Sequence, residues 1–338
     1  MRPATKALLL SVVAVVAAGV AWLAVTSSGA LELDRQELAR RYALPTSKFV
    51  TVDKTPIHYV DEGQGPVVVL MPPSFMNLRA WDGAAADLSR DFRVIRLDFP
   101  LVGLSGPDPG GDYSTEHFLQ LLHGLMQTLE VPRFSLVGTS SGGTIAFQYA
   151  ARWPEQVERL VLINNAGLPR SAATDPNRAR GSALSRWLLA KYKPRSYWKE
   201  SLDSQMGSGK PAPESVVTMV YDLNRRSGIG GDGLLMMKQF RSLDPQAVLS
   251  KVRAPTLILW GKRNITLSHL EADVFEHWLT GAPSMVHKYD ELGHYPYIEA
   301  PELVAGDIRA FLRGERDGEL AQTTRVPYVK PEPAVKQE

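Results

Sequence analysis

The residues with the clearest chemical potential lie in 134-FSLVGTSSGGTIAFQYA-150. Gly138, Ser140 and Gly142 fall in the spacing G-x-S-x-G, behind a β-type run and ahead of a helix-forming stretch. A serine on a sharp strand-to-helix turn is held at strained backbone angles, and the positions two residues to either side must be small for the turn to close. Glycines meet that demand for Ser140. For Ser141 the preceding position is Thr139, which fits poorly, so Ser140 is the candidate nucleophile. The amide of Ser141 then opens the following helix, whose N-terminus carries partial positive charge and suits a developing oxyanion. The competing reading is a Gly/Ser-rich loop that only turns the chain or binds phosphate. Its phosphate version lacks the lysine of G-x-x-x-x-G-K-[ST], and its dinucleotide version lacks the glycine spacing.

A serine nucleophile needs a base, and an imidazole, with a pKa of about 6.5, can take its proton and return one to a leaving group. The chain has 7 histidines. His58 lies in a strand-like run, His117 and His123 in a helical one, and His269 and His277 in the helical stretch after 256-TLILW-260; structural roles suffice for these. His294 differs, because it follows Gly293 in a loop after the last β-type run, 284-SMVHKY-289, and precedes a helix starting near Pro301.

Elements of fixed geometry must carry such groups. Phe49 to Val52 and Ile57 to Val60 flank 53-DKTP-56 and read as a hairpin. The runs 67-VVVLM-71, 93-RVIRLD-98, 134-FSLVG-138, 159-RLVLIN-164, 256-TLILW-260 and 284-SMVHKY-289 are apolar enough for strands buried on both faces of a parallel sheet. Helical periods lie between them. Ser114 can cap a helix whose Phe118, Leu121, Leu122, Leu125 and Leu129 recur at helical spacing. Strand–helix alternation means an α/β fold with a mostly parallel sheet flanked by helices. Between about 168 and 250 the alternation stops, and an insert rich in Trp, Tyr and Met, with Trp187 and Trp198 among them, reads as a mostly helical cap. From Gly314 a Pro- and charge-rich tail (314–338) reads as disordered.

Composition narrows the function. With 44% hydrophobic and 22% charged residues the chain can bury a sizeable core. A formal charge of +2 without a basic, aromatic-interleaved stripe gives no reason to expect nucleic acid. The lack of cysteine excludes disulfides, zinc–thiolate sites and thiol nucleophiles. No metal or cofactor is expected. At the N-terminus Arg2 and Lys6 precede 7–25, a stretch of nineteen residues without charge. A bilayer-spanning helix needs about 17–25 residues and a secretory apolar region about 7–15. Length therefore favours an uncleaved signal anchor within 1–30, holding the rest at the inner membrane on its extracytoplasmic side. The alternative is a signal peptide cleaved near 28-SGA-30, which leaves a secreted or periplasmic protein.

The segments 61-DEGQGPVVVL-70, 94-VIRLDFPLVGLSG-106, 137-VGTSSGG-143, 152-RWPEQVERLVLIN-164, 256-TLILWG-261 and 293-GHYPYIEAPE-302 together resemble the α/β-hydrolase superfamily, in particular its capped bacterial esterase-like members. The resemblance covers about 45 to 313 and implies an eight-stranded sheet, a core of 45–167 and 251–313, and a cap (168–250) inserted after the sixth strand. It also implies Ser–acid–His in chain order, with Ser140 as nucleophile, His294 as base and the acid in W-G-x-x-D after the seventh strand. Here that motif reads Trp260-Gly261-Lys262-Arg263-Asn264, an amide where a carboxylate is expected. The family's other acid position, after the sixth strand, reads Asn164-Asn165-Ala166, and only Asp290 and Glu291 lie near His294 in sequence. The second oxyanion donor follows the third strand, where 70-LMPPSF-75 replaces the usual His-Gly. Counting back from Trp81-Asp82 puts that amide on Ser74, and a slip of one puts it on Pro73, which has no N–H.

Two readings follow. The first is a serine hydrolase cleaving an ester of an apolar small molecule through an acyl-enzyme on Ser140, slowed by Asn264. The alternative is a catalytically weak hydrolase-fold protein binding a hydrophobic ligand or partner at the cell envelope. A serine at the elbow speaks against epoxide-hydrolase and dehalogenase chemistry, which needs a carboxylate nucleophile.

Overall fold

The computed structural model describes residues 3–101, 103–169, 192–240 and 244–322. Its strands are β1 (Ser47–Val52), β2 (Thr55–Glu62), β3 (Val67–Met71), β4 (Arg93–Leu97), β5 (Phe134–Thr139), β6 (Val157–Ile163), β7 (Thr256–Gly261) and β8 (Ser284–Tyr289). They form one eight-stranded sheet in the order β1-β2-β4-β3-β5-β6-β7-β8. Only the β1–β2 and β2–β4 pairings are antiparallel. The β1–β2 hairpin turns on Asp53 and Lys54 alone, both at positive φ (43° and 66°), so Thr55 and Pro56 of the expected turn belong to β2.

The helices in chain order are α1 (Pro3–Ser27), α2 (Arg35–Tyr42), α3 (Asp82–Leu88), α4 (Thr115–Thr128), α5 (Ser141–Arg152), α6 (Arg195–Asp203), α7 (Glu214–Leu223), α8 (Ile229–Gln239), α9 (Pro245–Leu249), α10 (Glu271–Trp278), α11 (Pro296–Glu299), α12 (Pro301–Leu312) and α13 (Asp317–Gln322). Successive residues of a strand point to opposite faces, and the two cores follow that period. Val69, Met71, Leu136, Leu162 and Ile258 face α4, α5 and α10, whereas Val68, Leu70, Val137, Val161 and Leu257 face α3 and α12. This double burial is why the central strands read as unbroken apolar runs.

The cap enters between β6 and β7, and its described residues form α6 to α9. Trp198 and Leu202 of α6 and Val217 and Val220 of α7 join the core on the α3/α12 face. Residues 31–42 lie against the cap as a strap. Leu33 bridges Arg226, Arg225 Nε donates to the Leu31 carbonyl (2.8 Å), and Asp222 accepts from Arg41 (3.0 Å) and from the Tyr42 hydroxyl (2.7 Å). Arg226, 2% exposed, donates to the carbonyls of Gly103 and Ser105 and so ties the cap to the loop after β4.

Two expectations at the chain ends change. The tail does not lose regular structure at 314: α13 follows, with Asp317 taking two hydrogen bonds of 2.8 Å from Arg159. The rest of the tail, 323–338, lies outside the described residues, as does Trp187 of the insert. The spanning helix gains no support, because among the described residues no helix is long and apolar enough to cross a membrane. Within α1, Leu10, Val12, Val13, Val16, Val20 and Val25 are nevertheless exposed.

Candidate active site

The sheet brings the candidate residues to one edge. Ser140 follows β5, Asn164 follows β6, Asn264 follows β7 and His294 follows β8, at the C-terminal ends of four adjacent parallel strands. Open α/β sheets bind ligands outside this edge.

Ser140 sits at φ 50°, ψ −121° between β5 and α5. A side chain other than glycine at positive φ is strained, and the surroundings must hold it there. They do so through the backbone: Ser140 N–H donates to Ile163 O (3.1 Å), and Ser140 O accepts from Gly143, Thr144 and Ala166 (3.1, 3.2 and 3.1 Å). A Cβ on Gly138 would lie 2.6 Å from Gly143 Cα, and one on Gly142 would collide with the Pro72 carbonyl. The sharp turn therefore needs both glycines, as its sequence spacing implies.

Ser74 and Ser141 come together. The Ser74 hydroxyl donates to the Ser141 hydroxyl at 2.8 Å, and both residues are half-buried. The Pro72 carbonyl packs on Gly142, so the loop after β3 meets the start of α5 there. A cavity of about 200 Å³ opens beside them. Its walls are the 72–75 loop, Phe99, Phe118, the first turns of α5, and Met236 and Phe240 of the cap. It is apolar apart from the two serines.

His294 is 3% exposed, and its ring meets Tyr295 edge-on at 4.8 Å. Burial raises the Tyr295 phenol well above its ordinary pKa, against a hydrogen bond with Gln205 that lowers it. Asn164, held at φ 43°, donates from Nδ2 to the carbonyls of Gly293 (2.9 Å) and His294 (3.0 Å) and accepts from Gly261 N–H (3.0 Å). The family's alternative acid position is thus an amide that stitches β7 to the histidine loop.

Asn264 is 7% exposed, and its Oδ1 accepts from the backbone N–H groups of Thr266 (2.9 Å) and Leu267 (3.0 Å). These bonds fix which end of the amide is oxygen. The NH2 is buried with no hydrogen-bond partner among the described residues. Asp290 and Glu291 do not take up the missing role. Asp290 pairs with Lys262 at 2.5 Å, which holds its carboxyl below the usual range, and Glu291 pairs with Arg263; both acids are exposed. Sequence proximity failed here because the lysine and arginine beside Asn264 draw both acids to the surface.

Three contributors escaped the sequence reading: Gln205 of the cap, Glu299 of α11, and the clamp made by Asn164. Asn164 was visible only as a missing acid, and no periodicity or motif marks Gln205 or Glu299. His58 takes the expected structural part, binding Asp98 (2.7 Å) and Ser47 (2.7 Å) while Asp98 also accepts from Leu78 and Leu104 amides. Among the described residues no group of His, Asp and Glu is arranged to hold a metal ion.

The sequence profile of the α/β-hydrolase fold matches residues 66–301. The chain belongs to this family. Within it, the chain is similar to an uncharacterized protein of Mycobacterium tuberculosis, at 25% identity over 302 residues, 84% of this chain and 86% of that protein. It is also similar to the 2-hydroxy-6-oxo-2,4-heptadienoate hydrolase of Pseudomonas putida, at 28% identity over 264 residues, 75% of this chain and 92% of the relative. A bacterial membrane phospholipase A of known structure superposes with a TM-score of 0.67 at 27% identity, covering 92% of this chain and 99% of its own. The α/β-hydrolase relatives support a hydrolase at a coarse level.

Proposed function

We propose that this α/β-hydrolase is a serine esterase acting on an apolar acyl ester through an acyl-enzyme on Ser140, at a rate limited by Asn264. The observation that carries this reading is the strained elbow, Ser140 at φ 50°. A fold that only bound ligand would have no need to hold a non-glycine residue there. In this reading His294 takes the Ser140 hydroxyl proton as Oγ attacks the carbonyl carbon. The oxyanion lies toward the amides of Ser141 and Ser74. Collapse breaks the bond to the alcohol oxygen, which leaves with the proton from His294, and water repeats the sequence to release the acid. The phenylalanines and Met236 around the cavity suit an apolar acyl group.

Asn264 favours a rival, a hydrolase fold retained for binding a hydrophobic ligand or partner. Its oxygen is committed to Thr266 and Leu267, so the amide offers only an uncharged NH2 to its buried surroundings. It does nothing to offset an imidazolium. In a serine protease the same acid-to-amide change costs roughly 10⁴ in kcat. A surviving nucleophile and base remain useful, because binding and an oxyanion hole alone retain roughly 10³–10⁴-fold over water.

We further propose that α1 sits in lipid. At about 3.6 residues per turn its exposed leucine and valines cover more than half of the circumference, and an exposed apolar surface that wide on one helix suits a bilayer. Similarity to a membrane phospholipase A agrees with this.

The test of the esterase is fluorophosphonate labelling of the full chain at pH 8, with Ser140→Ala and Asn264→Asp alongside. Labelling lost only in Ser140→Ala supports the esterase, and faster labelling in Asn264→Asp identifies the amide as the brake. Wild type inert but Asn264→Asp labelled would favour the binding role.

A further inference from the structure

One short piece of the cap touches both loops that carry the candidate relay. The Gln205 carbonyl accepts the His294 N–H at 2.8 Å, and its side-chain Oε1 accepts the Thr266 hydroxyl at 3.2 Å. Thr266 is one of the two residues whose amides hold Asn264 Oδ1. Gly207 accepts from Arg263 Nη1 through its carbonyl at 2.9 Å. A Cβ on Gly293 would collide with the Gln205 carbonyl and lie 2.5 Å from Gly207 N, so cap and histidine loop meet backbone to backbone. Glu299 closes the arrangement: one carboxylate oxygen accepts from Gly293 N–H (2.7 Å) and the other from Ser208 N–H (2.8 Å).

We propose that cap residues 205–208 and Glu299 form a clamp that positions the His294 loop, and with it the imidazole, where Asn264 supplies no carboxylate to do so. This rests on the esterase reading for its catalytic consequence and on geometry for the clamp itself. An aspartate in a relay both orients the imidazole and offsets its charge. The clamp supplies orientation alone. Gln205 and Glu299 are accordingly positioning residues that act through the backbone of 293–294 and the loop 264–267. The cap then has a second task besides walling the cavity, since displacing it would release the base.

The test is a double-mutant cycle in the full chain, with Glu299→Ala made in wild type and in Asn264→Asp and read with a soluble p-nitrophenyl ester; alanine at 205 would keep the carbonyl that takes the His294 N–H and so cannot test the clamp. In wild type Glu299→Ala is expected to lower kcat about tenfold or more at nearly unchanged KM, the signature of a displaced catalytic group. With aspartate at 264 orienting the ring, the same substitution is expected to lower kcat less than about threefold, a clear departure from additivity. Equal losses in both backgrounds, or no loss in wild type, would overturn the proposal. A purely structural role would lower Tm without this dependence on residue 264. Hydrogen exchange at the Gly293 and His294 amides reads the clamp without any activity: faster exchange in Glu299→Ala is expected, and unchanged exchange overturns it. If neither wild type nor Asn264→Asp hydrolyses ester, the esterase reading fails, and the exchange measurement still decides the clamp.

Discussion

At Asn264 a change to aspartate keeps the two bonds from Thr266 and Leu267 and exchanges only the buried NH2 for an oxygen. In the esterase reading the new oxygen would accept from the His294 ring N–H and stabilise its charge. Asn264→Asp should therefore raise kcat/KM, by up to roughly 10⁴ if the protease precedent transfers; initial rates on a p-nitrophenyl ester measure it. Gly142 is the opposite case. Gly142→Ala drives a methyl into the Pro72 carbonyl, so the turn must shift, at a cost of about 1–3 kcal/mol for overpacking. Fluorophosphonate labelling should fall sharply and the denaturant midpoint should drop. The need for Gly138 and Gly142 was legible because it is local steric chemistry. The direction of the Asn264 amide was not, since the backbone of 264–267 decides it.

Among the elements, the sheet was the most readable part, because each central strand buries both faces and shows it as an uninterrupted apolar run. What the sequence hid were contacts closing over long separations. His294 is joined to Gln205 by a backbone bond, and the carbonyls of 293 and 294 accept from the Asn164 side chain, contacts that no sequence pattern announces. The pairing of β2 with β4 carries one such contact with a pH consequence. Arg93 donates two bonds of 2.9 Å to Asp61 and holds that carboxyl below its usual range. A folded pKa lowered beneath the unfolded value of about 3.9 adds stability that is complete above that value and is lost as pH falls through the folded pKa. The Tm difference between wild type and Asp61→Asn should thus be constant from about pH 5 to 8 and shrink below about pH 4. Arg226 offers a second test at this scale. Arg226→Ala strands the carbonyls of Gly103 and Ser105, and at about 1–3 kcal/mol for each unsatisfied buried group the loss should be evident in urea unfolding.

For the whole molecule, α1 and the folded body pose separate questions. If α1 sits in lipid, the full chain should sediment with membranes and resist carbonate extraction, whereas replacing Val13 and Val16 by lysine should move it toward the soluble fraction. An unchanged distribution would remove the membrane from the account. The strap bears on the same question. Its contacts with the cap start at the Leu31 carbonyl, one residue beyond Ala30. A cut after Ala30 would part α1 from the body and leave every bond between strap and cap in place. The lipid-held and the released forms would then carry the same cavity and the same elbow. Where the protein resides and how it folds are in that sense independent variables, divided at a single peptide bond.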